Sequence, residues 1–105
     1  MKFLCVCNAA HTRSVACANA LKRRGQNAIA AARHYNVPEP MAMLSRWADR
    51  IILMYHWEPD FIPASERRKV RWLDVGHDVW HDPTNPQLVA IVDRAIAEWE
   101  AQGYP

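Results

Sequence analysis

Cysteine is sparse and lopsided in this chain: three residues in 105, at positions 5, 7 and 17, with none further on. An odd count crowded at one end builds no disulfide framework, which points to a reducing compartment. No window is apolar for long enough to span a membrane. The apolar stretch after Lys2 stops at His11 and Arg13, too short for the core and cleavage site of a secretory leader. These absences predict a cytoplasmic protein. Charge of one sign is lacking too, since 13 Lys and Arg face 11 Asp and Glu for a net of +2. That is too weak an electrostatic footprint for a nucleic-acid binder, so neither a nucleic-acid nor a membrane partner is expected. Dense basic spots occur only at Lys22-Arg23-Arg24 and Arg67-Arg68-Lys69, which read as solvated helix ends complementing the dipole. No repeat, no low-complexity segment and no room for a second domain leave residues 1–105 as one domain.

What is present is an alternation of short apolar runs and helical periodicities. Lys2 to Val6 reads as a strand covered on both faces. Ser14 to Arg24 reads as a helix with Val15, Cys17, Ala18 and Leu21 near one face and Gly25 as its left-handed cap. Strands are expected at Asn27–Ala32, Arg50–Met54 and Val70–Val75. A loop at Arg33–Pro40 precedes a helix at Met41–Ala48. Trp57–Arg68 is expected to be a helix interrupted by Pro59 and Pro63. After a polar loop, Gln87–Ala101 reads as an amphipathic helix burying Leu88, Ile91, Val92, Ala95, Ile96 and Trp99, with Gly103 at its end. Trp47 and Trp72 also fall on faces that read as buried. The pattern predicts an α/β fold: three layers, a doubly wound four-stranded parallel sheet with helices on both faces.

The densest chemistry lies between the first strand and the first helix, where Cys7-Asn8-Ala9-Ala10-His11-Thr12-Arg13-Ser14 spaces a Cys and an Arg by five residues. Such a loop curls its backbone N–H groups inward at a helix N-terminus and makes a nest for a phosphate-sized anion, phosphate or sulfate. Arg13 forks onto two oxygens, and the same positive field favours thiolate at Cys7. Ser14 hydrogen-bonds the sulfur and eases its departure. The bland alternative makes Cys5 and Cys7 small core residues and Arg13 an ordinary helix-start residue.

Phe3-Leu4-Cys5-Val6-Cys7, the five-residue gap and Arg13-Ser14 resemble the opening of the low-molecular-weight protein tyrosine phosphatases and of the arsenate reductases that share their fold. Leu44 to Met54 and Trp72-Leu73-Asp74-Val75 resemble a short bacterial branch of predicted phosphatases. The resemblance implies a phosphotyrosine phosphatase I-like fold and a hydrolase acting through a phosphocysteine. Its substrate would be a phosphorylated protein, phosphotyrosine above all, or a small phosphoester, with no cofactor and no metal. It makes Cys7 the nucleophile and Arg13 the phosphoryl clamp, with Asn8, Ala9, Ala10, His11, Thr12 and Ser14 around the anion.

A leaving oxygen needs a proton, so an acid should reach the loop from another strand's carboxyl end. Asp74, Asp78 and Asp82 qualify. Asp82-Pro83 resembles the Asp-Pro of the larger phosphatases, yet Asp78, followed closely by an aromatic, is the preferred acid, ahead of Asp82 and then Asp74. The alternative is that all three are surface carboxylates or turn formers. Trp80 is then expected to wall the cleft, with Trp57 a second pocket candidate and His34 and Tyr35 in the place of specificity residues. The chain also departs from the family. Ala10 stands where a loop-tying Asn is usual, with Asn8 a substitute; Val15 and Ala18 replace a Pro and a Glu; Thr12 replaces a second loop Cys.

Those departures keep other functions open. Arsenate reduction would need an external thiol, because no Cys follows Cys17. A weakened site would bind phosphate or a phosphoprotein without turnover. A zinc cluster of Cys5, Cys7, His11 and Cys17 is disfavoured on the expectation that Cys5 and Cys7 face apart.

Overall fold

The computed structural model of the protein describes residues 1–9, 12–33 and 38–105. Four strands alternate with three α-helices: β1 (Lys2–Cys7), α1 (Arg13–Arg23), β2 (Asn27–Ala32), α2 (Pro38–Trp47), β3 (Arg50–Leu53), β4 (Val70–Trp72) and α3 (Pro86–Ala101). All strand pairs are parallel, in the order β2-β1-β3-β4. In register, β1 sets Cys7 beside Ala32 of β2 and Val6 beside Leu53 of β3. The strand order reverses around β1, so the loop leaving its carboxyl end opens at the crevice where such sheets take ligands.

Period-two alternation sorts the sheet's side chains into two cores. Phe3, Cys5, Cys7, Ile52 and Met54 point to one face and meet Ala16, Cys17, Ala20 and Leu21 of α1 and Leu88, Val92 and Ile96 of α3. Leu4, Val6, Ile51, Leu53 and Val70 point to the other, against Met41 of α2, Ala48 and Ile62. Both faces of β1 are covered, which is why its sequence is a continuous apolar run. The three-layer α/β expectation is met.

Several boundaries and burials differ from expectation, each for a physical reason. Helix α2 begins at Pro38 rather than Met41; Pro38 and Pro40 fall in the first turn, where backbone N–H groups have no intrahelical partner to lose. The segment after β3 forms two short 3-10 helices, Pro59–Phe61 and Ala64–Lys69, instead of an interrupted α-helix. Strand β4 stops at Trp72 because β3, its one ladder partner, ends at Leu53. On that edge, Trp72 is 49% exposed rather than buried, its indole N–H donating to the Trp57 carbonyl at 2.9 Å. Ile91 of α3 is likewise 45% exposed, beyond the stripe formed by Leu88, Val92 and Ile96. Gly25 takes φ of 80° just past α1, as its cap role requires. Among the described residues no helix is long and apolar enough to cross a membrane.

Candidate active site

Cys7 is the last residue of β1 and Arg13 the first of α1, so strand and helix fix both ends of the loop between them. Cys7 Sγ and Ser14 Oγ are 3.0 Å apart in a buried setting. Arg13 is only 1% exposed. Its Nη1 donates to the Gly76 carbonyl at 2.8 Å, and its Nε has no acceptor among the described residues. The guanidinium lies 5.9 Å from the Tyr55 ring centre and 5.6 Å from that of Trp57. No carboxylate pairs with Arg13 among the described residues. A cation withdrawn from water on a carbonyl and two π-faces carries a desolvation penalty of about several kcal/mol.

A hollow of about 50 Å³ opens at this point, lined by Asn8, Arg13, Tyr55, Trp57, His77 and Asp78. The carboxyl ends of β1, β3 and β4 and the start of α1 supply these residues, which brings Asn8, Arg13 and Asp78 to one hollow. Asn8 Oδ1 is buried and meets no donor among the described residues. Ala9 is exposed in the bend after β1, and Thr12 is buried immediately before α1. Ala10, His11, His34 and Tyr35 lie outside the described residues.

The three acid candidates separate by what their carboxylates touch. Asp74 accepts the Gly76 N–H at 2.8 Å on one oxygen and faces His56 Nδ1 at 2.8 Å with the other. The Gly76 bond first, then the His56 contact, holds its carboxyl below the usual range. Asp82 accepts from both the hydroxyl and the N–H of Thr84, each at 2.7 Å, and is also lowered, chiefly by that hydroxyl. It shapes the turn that leads to Asn85, whose side chain caps α3 through the Gln87 N–H at 2.9 Å. Asp78 is exposed and lines the hollow beside Arg13.

Trp80 is half-buried and packs against the core shared by α1 and α3, its indole N–H without an acceptor among the described residues. The hollow's aromatic walls are Tyr55 and Trp57. Tyr55, His77, Gly76 and His56 were missed by sequence reasoning. The position of Tyr55 one residue past an apolar strand was the available signal, whereas the contact of Gly76 with Arg13 spans 63 positions and leaves none.

The three thiols are not in disulfides. Cys5 and Cys7 are two residues apart and therefore share a face, not opposite faces as expected, and Cys17 joins them in the same core. Burial above all, then Cys17, pushes the Cys5 thiol well up. Cys5 is thus an inert core residue. Among the described residues no group of three His, Cys, Asp or Glu stands ready for a metal.

No family model and no curated protein sequence matches the chain. Solved structures do. The Erwinia amylovora tyrosine phosphatase AmsI superposes with a TM-score of 0.77 at 16% identity, covering 96% of this chain and 91% of its own. Vibrio vulnificus Wzb in complex with benzylphosphonate gives 0.74 at 14% identity, covering 96% and 97%. A low-molecular-weight protein tyrosine phosphatase from Bacillus subtilis gives 0.65 at 18% identity, covering 96% and 98%. At such identities the likeness speaks to architecture. The architecture is a doubly wound α/β fold. More narrowly, the chain has the low-molecular-weight protein tyrosine phosphatase fold.

Proposed function

We propose that the protein is a cysteine-dependent phosphatase that hydrolyses a phosphoester, in the first place phosphotyrosine on a protein, in the cytoplasm. One observation carries this: a thiol 3.0 Å from a hydroxyl at a helix start whose first residue is a buried Arg with no carboxylate partner among the described residues. A buried cation held this way suits a dianionic phosphoryl group, which supplies the missing counter-charge.

Cys7, as thiolate, attacks phosphorus while the bond to the leaving oxygen breaks. Asp78, protonated, gives its proton to that oxygen. Arg13 and the loop's amide N–H groups receive the charge of the transferring group. A water then attacks the phosphocysteine, Asp78 takes its proton, and the sulfur departs as thiolate with the Ser14 hydroxyl donating to it. Tyr55 and Trp57, at the hollow's edge, offer aromatic surface to a flat leaving group. Vibrio Wzb, which shares this fold, binds benzylphosphonate, an arylmethyl phosphonate that pairs a flat ring with a phosphoryl-like group.

Turnover of p-nitrophenyl phosphate tests the proposal. Cys7→Ser should abolish it with the melting temperature maintained. Equal activity in wild type and Cys7→Ser would remove the claim, whereas binding of phosphate without turnover in wild type would favour the weakened-site alternative.

A further inference from the structure

The opposite end of the sheet holds a second feature, which the phosphatase proposal does not use. A groove of about 490 Å³ lies at the amino ends of β1, β3 and β4, lined by Lys2, Arg46, Arg50, Arg68, Lys69 and Arg71. These six come from separate stretches of sequence, and the fold gathers them. Asp49 in the groove and Glu66, paired with Lys69 at 2.8 Å and Arg68 at 3.6 Å, are the acids set against them. With the carboxylate of Pro105 on Arg50 and Arg71 counted as a third acid, three positive charges are left over, in a chain whose net charge is +2.

Guanidinium hydrogen bonds to backbone carbonyls fix several of these cations without cancelling them. Arg50 Nε and Arg71 Nε both donate to a main-chain oxygen of Pro105, the last residue, at 2.8 and 3.1 Å, so its carboxylate offsets part of their charge. Arg71 Nη1 also reaches the Val70 carbonyl at 2.7 Å, and Arg68 Nη1 that of Ser65 at 2.7 Å. The Asp49 carboxylate is occupied by the Lys2 backbone N–H at 2.8 Å. Like charges held together on a fixed frame repel one another, and a multivalent anion relieves that repulsion.

We propose that this groove binds a compact polyanion carrying two or more phosphoryl groups. One phosphate would leave much of the charge unmatched. An extended nucleic acid is disfavoured because the rest of the molecule, with the groove's charge set aside, is net acidic. A free polyphosphate and a phosphorylated lipid headgroup share the required chemistry.

Calorimetric titration of the full chain with inorganic tripolyphosphate at physiological salt tests this. Arg13→Ala, which removes the phosphoryl clamp of the proposed catalytic hollow, should keep the groove's affinity for tripolyphosphate, and in that variant orthophosphate should bind about tenfold more weakly or worse. The double variant Arg46→Ala/Arg68→Ala should weaken tripolyphosphate by about tenfold, and Arg46→Ala alone, truncating an exposed side chain, by about threefold with unchanged melting. Binding lost in Arg13→Ala but kept in the groove variants would overturn the proposal, as would equal affinity of Arg13→Ala for orthophosphate and tripolyphosphate. A short DNA duplex displacing tripolyphosphate at lower concentration would overturn it in favour of nucleic acid. Vesicles doped with a bisphosphorylated phosphatidylinositol distinguish the sources. Capture lost in the double variant assigns a lipid headgroup, and absence of capture alongside tripolyphosphate binding assigns a free anion.

Discussion

Arg13 and Gly76 meet across the candidate site, the guanidinium Nη1 donating to the glycine carbonyl at 2.8 Å. The start of α1 is thereby joined to the loop after β4. The same glycine donates its N–H to Asp74, whose second oxygen faces His56. Arg13, the turn and the loop bearing Asp78 form one connected arrangement, so a disturbance at the turn should be felt at Arg13.

Gly76 has φ of 79°, and a Cβ built there meets no atom within 4 Å. Substitution is therefore opposed by backbone strain alone. Gly76→Ala should cost about 1–2 kcal/mol in chemical denaturation, the ordinary penalty for a left-handed L-residue, and Gly76→Asn clearly less. Both should raise KM for p-nitrophenyl phosphate, because the carbonyl that positions Arg13 shifts. Unchanged stability and KM in Gly76→Ala would show that the turn relaxes without consequence.

The assignment of the acid predicts a dependence on leaving group. Asp78→Asn should lower kcat for phenyl phosphate by about 10²–10⁴-fold, and much less for p-nitrophenyl phosphate, whose phenolate departs without a proton. Asp82→Asn should leave kcat nearly unchanged, as its carboxylate serves the Thr84 turn. A larger loss in Asp82→Asn than in Asp78→Asn would transfer the role to Asp82.

The layers, the parallel strands and the loop ends were legible because they rest on local signals: apolar runs, a glycine cap, and a Cys and an Arg on either side of one turn. What escaped was set by distance in sequence. Trp72 reads as core, yet β4 is an edge strand, and only the sheet order shows that. Trp80 reads as a pocket wall beside Asp78, yet it packs on the α1 and α3 core and leaves the hollow to Tyr55 and Trp57. Arg68 and Lys69 read as a helix end, and Lys69 does donate to the Ser45 carbonyl closing α2, at 2.9 Å. Their gathering with Lys2, Arg46, Arg50 and Arg71 is a property of parallel strands starting side by side.

Helix α3 separates residues that its periodicity had grouped together. Ile96 is fully buried, whereas Ile91 is 45% exposed. Ile96→Ala should destabilise by about 2–5 kcal/mol, the range for emptying a packed aliphatic site. Ile91→Ala should stay within about 0.5 kcal/mol of wild type. Urea denaturation measures both, and a large loss at Ile91 would mean that its face is covered in solution.

The pair joining α3 to α1 predicts a pH-dependent stability. Asp93 accepts from Arg24 at 2.7 Å and from Arg23 at 3.4 Å. The Arg24 hydrogen bond holds its carboxyl below the usual range against an opposing effect of burial. Because the folded value is lower than the unfolded one, the stabilisation is fully present above the unfolded carboxylate's pKa of about 3.9. It is lost as pH falls through the folded value. Asp93→Asn should therefore melt below wild type near neutral pH, and the gap should close as both are titrated well under pH ~3.9. The Asp93 side chain is 44% exposed, so added salt should also narrow the gap at neutral pH. A gap that persists undiminished in acid would assign the loss to packing between α1 and α3 and not to the ion pair.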